Sequence, residues 1–161
     1  MSDKNFDLIT FGEIMLRLSP PASERLVRGE IFEKQAGGAE LNVASGVSLL
    51  GLRTGIISKL PDHEMGTYIK NRIRFVGVSD DYLIYDSEPG ARLGLYYYEN
   101  GAAPRKPSIV YDRVGASINR ISLDEIPEEV YHSTRMFHTS GISPSLRPSL
   151  VILSILSWDG S

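Results

Sequence analysis

The residues best suited to chemistry lie in "QAGGAELNVASGVSLLG", Gln35 to Gly51. Adjacent glycines, Gly37 and Gly38, run into a segment with helical spacing, and Asn42 falls in its first turn. Glycine lets a backbone approach a ligand closely. The free N–H groups at a helix start welcome polar or anionic atoms. An asparagine amide both donates and accepts, which suits a sugar hydroxyl that does the same. The competing reading is a tight strand-to-helix turn with Asn42 facing solvent. The local residues alone leave both open.

Other chemistries lack their residues. There are no cysteines, so disulfides, thiolate metal sites and cysteine nucleophiles are excluded. No glycine is followed by Lys-Ser or Lys-Thr as a P-loop requires, and "GGAELN" lacks the Gly-x-Gly-x-x-Gly spacing of a dinucleotide loop. A Gly-x-Ser-x-Gly elbow does not occur. His63, His132 and His138 are not spaced as metal ligands on a helix, and His138 is expected on a buried strand. No metal-ligating or cofactor-binding residue is therefore assigned. The 161 residues carry 17 Lys and Arg against 20 Asp and Glu, a net charge of −3, with the basic residues scattered. That gives no support to a nucleic-acid partner. The start lacks a signal-peptide pattern and no run approaches the roughly 18 apolar residues of a spanning helix, so no membrane partner and a cytoplasmic location are expected.

The elements that must position the glycine loop alternate. "FDLITFG", "EIMLRLS" and "IFEKQA" read as short strands, followed by a helix from about Glu40 to Leu50. Val43, Val47 and Leu50 recur at helical spacing as its apolar face, and Gly51 sits where a left-handed cap belongs. "RTGIISKL" is the next strand. Asp62 is the expected N-cap of a helix over about His63 to Phe75, ended by Gly77. Strand–helix alternation favours a parallel sheet. "DYLIYD", "RLGLYYYE" and "SIVYDR" read as three strands joined by hairpin-like connections, before a helical pair, "SINR" and "IPEEVYH", and the apolar strand "RMFHTSGI". The expected fold is α/β with a small antiparallel sheet built from two excursions, near residues 14–36 and 90–113.

"AGGAELNVASGVSLLGLRTGIISKLPDHEMG" resembles the first signature of the ribokinase/PfkB family of carbohydrate kinases. Gly37, Gly38, Asn42, Ser45, Gly51 and Gly66 sit in matching places, and the resemblance runs over about residues 5 to 148. Within the family it is nearest to 2-keto-3-deoxygluconate kinases, through "GGAELNVA", "LGLYYYENG", "SIVYDR" and "FHTSGI". One departure is "PDHEMG", with Pro61 where the family shows Gly and His63 where it shows Asp. The resemblance implies a ribokinase-like three-layer core with a mostly parallel sheet and a small antiparallel β lid, the sugar lying between them. It implies sugar contacts from Gly38 and Asn42, a keto-deoxy-sugar contact from Tyr96, and contacts to the acid end from Tyr111 and Arg113. Ile142 matches a residue of the pocket wall, and Glu13 a place where relatives put an acidic sugar contact. A guanidinium can grip a carboxylate with two charge-assisted hydrogen bonds. Tyr111 and Arg113, two apart on a strand, share a face. Tyr96, Tyr97 and Tyr98 are read alternatively as plain strand packing.

In the full-length family ATP and Mg²⁺ serve phosphoryl transfer, and the catalytic Asp lies in a Gly-x-Gly-Asp segment. No such segment occurs here: Asp159 in "SWDGS" lacks the preceding glycines. The C-terminal ATP-binding and catalytic half is thus expected to be absent, no catalytic residue is assigned, and the chain alone is expected to be inactive. "SLRPSLVILSILSWDGS" has no charge between Arg147 and Asp159, so residues 149–161 are expected to be a truncated or altered tail. The partner expected is a small-molecule sugar or sugar acid, with a homodimer through the β lid. The alternatives are a non-catalytic sugar-acid-binding or interaction module, and a fructose, ribose or nucleoside kinase of the same family.

Overall fold

The chain turns its apolar runs into two four-stranded sheets in the computed structural model, which describes residues 4–140. Ile142 and the 149–161 tail lie outside those residues. β1 (Phe6–Phe11), β2 (Met15–Ser19) and β3 (Glu33–Gly37) precede α1 (Ala39–Leu49); β4 (Thr54–Pro61), α2 (Glu64–Phe75) and β5 (Leu83–Asp86) follow. β6 (Leu95–Glu99), β7 (Ser108–Asp112), two 3-10 turns (Ser117–Arg120 and Leu123–Glu125), α3 (Glu129–Ser133) and β8 (Thr134–His138) complete the order.

The first sheet runs β5-β4-β1-β8 and every pairing in it is parallel. Its strands are apolar on both sides because both faces are covered. Ile9, Phe11 and Ile57 pack with Ile118, Ile121, Ile126 and Val130 from the 3-10 turns and α3. Ile56 and Leu60 pack with Leu41, Ala44, Ile69 and Ile73 from α1 and α2. Adjacent Ile56 and Ile57 thus serve opposite cores, as strand alternation requires.

The second sheet runs β3-β2-β6-β7. It is mixed rather than antiparallel: β2 pairs with β3 and β6 with β7 antiparallel, but the central β2–β6 pairing is parallel. Two separate hairpin-like excursions that dock side by side can meet in either direction, and local turn signals do not choose. β5 also differs from expectation. It joins β4 in the parallel sheet, so only β6 and β7 form a hairpin of the three Tyr-rich runs.

Both long helices end as their glycines direct. Gly51 has φ +86°, its N–H donates to the Ser48 carbonyl at 2.9 Å, and the Leu52 N–H reaches the Val47 carbonyl at 3.4 Å. That double bond is a Schellman cap, and Gly77 (φ +75°) closes α2 in the same way. Three local expectations are corrected. α1 buries Glu40, Leu41 and Ala44, whereas Val43 is 37% and Leu50 80% exposed. Leu41 and Ala44 form the inward stripe at i, i+3, while Val43 and Leu50 look outward and Val47 is half-buried. α2 is capped by His63, whose Nδ1 accepts the Met65 N–H at 3.2 Å, while Asp62 accepts from the Ser87 hydroxyl. His138 is half-buried, because β8 is the outer strand of the sheet among the described residues.

Candidate functional site

In the parallel sheet the chain leaves β1 towards β4 and β5 on one side and returns as β8 on the other. The strand order therefore reverses between β1 and β8, and a crevice outside the carboxyl ends of such strands is where open α/β sheets bind ligands. The segment leaving β1 is Gly12-Glu13-Ile14, and the segment leaving β8 includes Ser140. Glu40, in the first turn of α1, spans the gap: its Oε1 accepts from the Ser140 N–H at 3.0 Å and from the Ser140 hydroxyl at 2.5 Å. Its carboxylate lies against Gly12, where a side chain would collide with it. Glu40 is 2% exposed. An acidic residue in the first turn also faces the positive end of the helix.

Glu13 is 4% exposed and pairs with Arg113, the residue just beyond β7. Gly94 makes this pair possible, since a Cβ there would strike the Glu13 carboxylate and stand 3.2 Å from the Arg113 Cβ. The end of β7 is held by Arg92, whose guanidinium donates to the Asp112 carboxylate at 2.8 Å and holds it below the ordinary aspartate range. The Glu13 carboxyl is shifted upward. Burial is the largest cause, the Arg113 charge opposes it, and the nearby Glu40 adds to it.

Gly38 caps α1 and presses on the same link: a Cβ there would be 2.6 Å from the Glu13 carbonyl oxygen. Gly37 faces the Tyr96 hydroxyl with no room for a side chain. Tyr96 stands opposite Tyr111 in the β6–β7 register, their rings 6.0 Å apart, and the Arg113 guanidinium lies 6.0 Å from the Tyr111 ring. Burial raises the Tyr96 phenol above its ordinary value, so it stays a hydrogen-bond donor at neutral pH. Tyr97 points to the other side of this sheet and meets Phe32.

Five of the sequence-derived candidates, Glu13, Gly38, Tyr96, Tyr111 and Arg113, thus form one contiguous patch. Asn42 joins it only through the helix, its N–H donating to the Gly38 carbonyl at 3.0 Å. Its side chain is exposed and makes no hydrogen bond among the described residues. Arg113 is not a free guanidinium, because Glu13 occupies one of its faces. Sequence reasoning passed over Glu40 and Arg17. Glu40 sits four residues before Ala44, and both are buried. Arg17 shares the Tyr96–Tyr111 row of the second sheet, donates to the Ser19 hydroxyl at 2.9 Å and covers the Tyr98 ring at 4.3 Å. Nothing local marks either; the pairing register brings Arg17 to the tyrosines. A separate hollow of about 380 Å³ lies at the other end of the strands, lined by Asn5, Arg53, Thr54, Arg74 and Asp80 among others, and includes none of the candidates. The polar patch is the better candidate because it gathers the buried Glu13 and Glu40 at the strand ends where the order reverses.

A parallel α/β core thus carries a second sheet at its strand ends, with a buried acid–base cluster between them. The chain belongs to the pfkB family of carbohydrate kinases, whose model matches residues 5–154. It is 40% identical over 144 residues to a 2-dehydro-3-deoxygalactonokinase of Haloferax volcanii, covering 89% of this chain and 44% of that one. The solved 2-dehydro-3-deoxygluconokinase of Thermotoga maritima superposes with a TM-score of 0.86 at 37% identity, over 92% of this chain and 45% of that one. A Pyrococcus horikoshii sugar kinase solved in complex with ATP matches in fold, with a TM-score of 0.72 at 24% identity, over 81% of this chain and 41% of that one. The chain spans under half the length of these relatives.

Proposed function

We propose that this chain forms the sugar-binding part of an ATP-dependent carbohydrate kinase whose substrate is a keto-deoxy sugar acid, 2-keto-3-deoxygluconate or a close isomer. The observation that carries the reading is Arg113: a guanidinium beside two tyrosines, at the strand ends next to a glycine-opened helix start. In this reading Arg113 takes the carboxylate, Tyr96 and Tyr111 give flat apolar area with hydroxyls at the edge, and Gly38 and Asn42 address the sugar oxygens. Glu13 is the acidic side chain that contacts the sugar. The two excursions, 14–36 and 90–113, act as a lid, and Ile142 belongs to the pocket wall. A homodimer through that lid and a cytoplasmic location are part of the same proposal.

The phosphoryl donor is ATP with Mg²⁺. Neither is assigned to a residue of this chain. These 161 residues also hold no Gly-x-Gly-Asp segment to supply a base. The chain is therefore expected to bind sugar without turning it over.

Calorimetric titration separates the readings. An acid sugar should lose tenfold or more in affinity on Arg113→Ala, since a charge-assisted bond contributes about 1.5–3 kcal/mol. Fructose or ribose binding, unchanged by that substitution, would favour a neutral-sugar kinase of the family. A non-catalytic binding module requires a cooperative thermal melt together with saturable binding.

A further inference from the structure

Glu13 and Arg113 neutralise one another, with side chains 4% and 20% exposed. Each nevertheless keeps one buried polar atom without a hydrogen bond among the described residues: Oε1 of Glu13 and Nε of Arg113. Two such atoms on the two members of one ion pair point to a ligand rather than to packing, since buried polar groups are otherwise satisfied. The charges facing Glu13 are few. Arg113 comes from the end of β7 and Glu40 from α1; Gly94 and Met15, from the β6 and β2 sides, bring none. The hydroxyl of Ser140, from beyond β8, is turned to Glu40.

A ligand carboxylate that takes Arg113 would be the third negative group of one cluster, beside Glu13 on that guanidinium and Glu40 near Glu13. Carboxylates crowded into one buried site do not all stay ionised. We propose that an acid ligand binds here together with one proton from solvent, held on Glu13. The inference rests on the acid-sugar reading above. The proton goes to the unpaired Oε1, which lies beside Gly94 and becomes a donor to the ligand carboxylate held by Arg113. Glu13 is then a specificity residue: it makes uptake of an acid sugar proton-linked, while a neutral sugar needs no proton.

The sign follows from linkage. Glu13 in the free protein loses its proton at lower pH than in the complex. Affinity is highest where the free protein already holds the proton, falls as pH rises between the two values by up to tenfold per pH unit, and levels off above both. The upward shift of Glu13 in the free protein places the start of that window above the ordinary glutamate value.

The test is titration of the purified chain with 2-keto-3-deoxygluconate near pH 7, in phosphate and in Tris, buffers with different ionisation enthalpies. The expected result is a buffer-dependent heat corresponding to uptake approaching one proton per ligand, and an affinity that falls from pH 6 to pH 8. Glu13→Gln should bind with buffer-independent heat and a flat pH profile. If that variant does not fold, the proton count of the unaltered chain decides alone. Saturable binding with no proton uptake overturns the inference and leaves the acid-sugar reading standing. A folded chain with no binding overturns both.

Discussion

Replacing Gly94 by alanine should disturb the site without touching a charge. The new methyl group would occupy the place of the Glu13 carboxylate. Overpacking of this kind costs about 1–3 kcal/mol. Gly94→Ala is thus expected to lower the thermal midpoint and weaken acid-sugar binding, both read by melting with and without ligand. Glu13 also gives the fold a pH dependence opposite to that of most acids. Its folded-state pKa lies above its ordinary value of 4.5, with burial the main cause. Its contribution to stability is therefore complete below about pH 4.5 and is lost as pH rises through the folded value. Melting curves of the wild type and Glu13→Gln should show the wild type losing ground to the variant over that range. If the variant loses ground instead, the carboxyl is stabilised as an anion. The glycine pair, the tyrosines and Arg113 were all legible in the sequence as residues. Their contact with Glu13 was not, because it joins positions 100 apart in the chain and depends on a glycine whose only duty is to be small.

Helix α1 presents the clearest test at the level of elements. Its periodicity pointed to an apolar face through Val43, Val47 and Leu50, yet Val43 and Leu50 look outward. Burial went instead to Leu41 and Ala44 with Glu40, because the helix start must lie over Gly12. Leu41→Ala, at a site 5% exposed, should cost about 2–5 kcal/mol. Leu50→Gln, at a site 80% exposed, should stay within about 0.5 kcal/mol. Denaturant titration of both variants checks the assignment, and equal losses would reject it. For α2, His63→Ala should cost about 1 kcal/mol through loss of the cap to Met65, whereas His63→Asp should keep it. The C-terminal ends of α1 and α2 were readable because a glycine marks each locally, whereas the N-cap of α2 fell one residue later, on His63 instead of Asp62. The direction of the β2–β6 pairing was not readable, since neither strand carries a signal for its distant neighbour.

Across the whole molecule, the alternation of strands and helices sufficed to foresee a parallel core, and the family match agrees with it. The placement of β5 needed tertiary information: its "DYLIYD" run resembles the lid strands in composition, yet it closes the parallel sheet. No helix among the described residues is long and apolar enough to cross a membrane, and a polar cluster lies at the sheet's reversal point, where open α/β sheets bind ligands. Turnover is a separate matter. Incubation of the purified chain with ATP, Mg²⁺ and 2-keto-3-deoxygluconate should yield no phosphorylated sugar, and product formed in preparations free of host kinase would contradict the account.

The most direct measurement is a heteronuclear NMR titration of the ¹⁵N-labelled chain with 2-keto-3-deoxygluconate. The account predicts that the backbone amides of Gly38 to Asn42 and the Arg113 Nε signal move together along one saturation curve. Signals that move only around Asn5, Arg53 and Asp80, or at Arg113 without the start of α1, would contradict it.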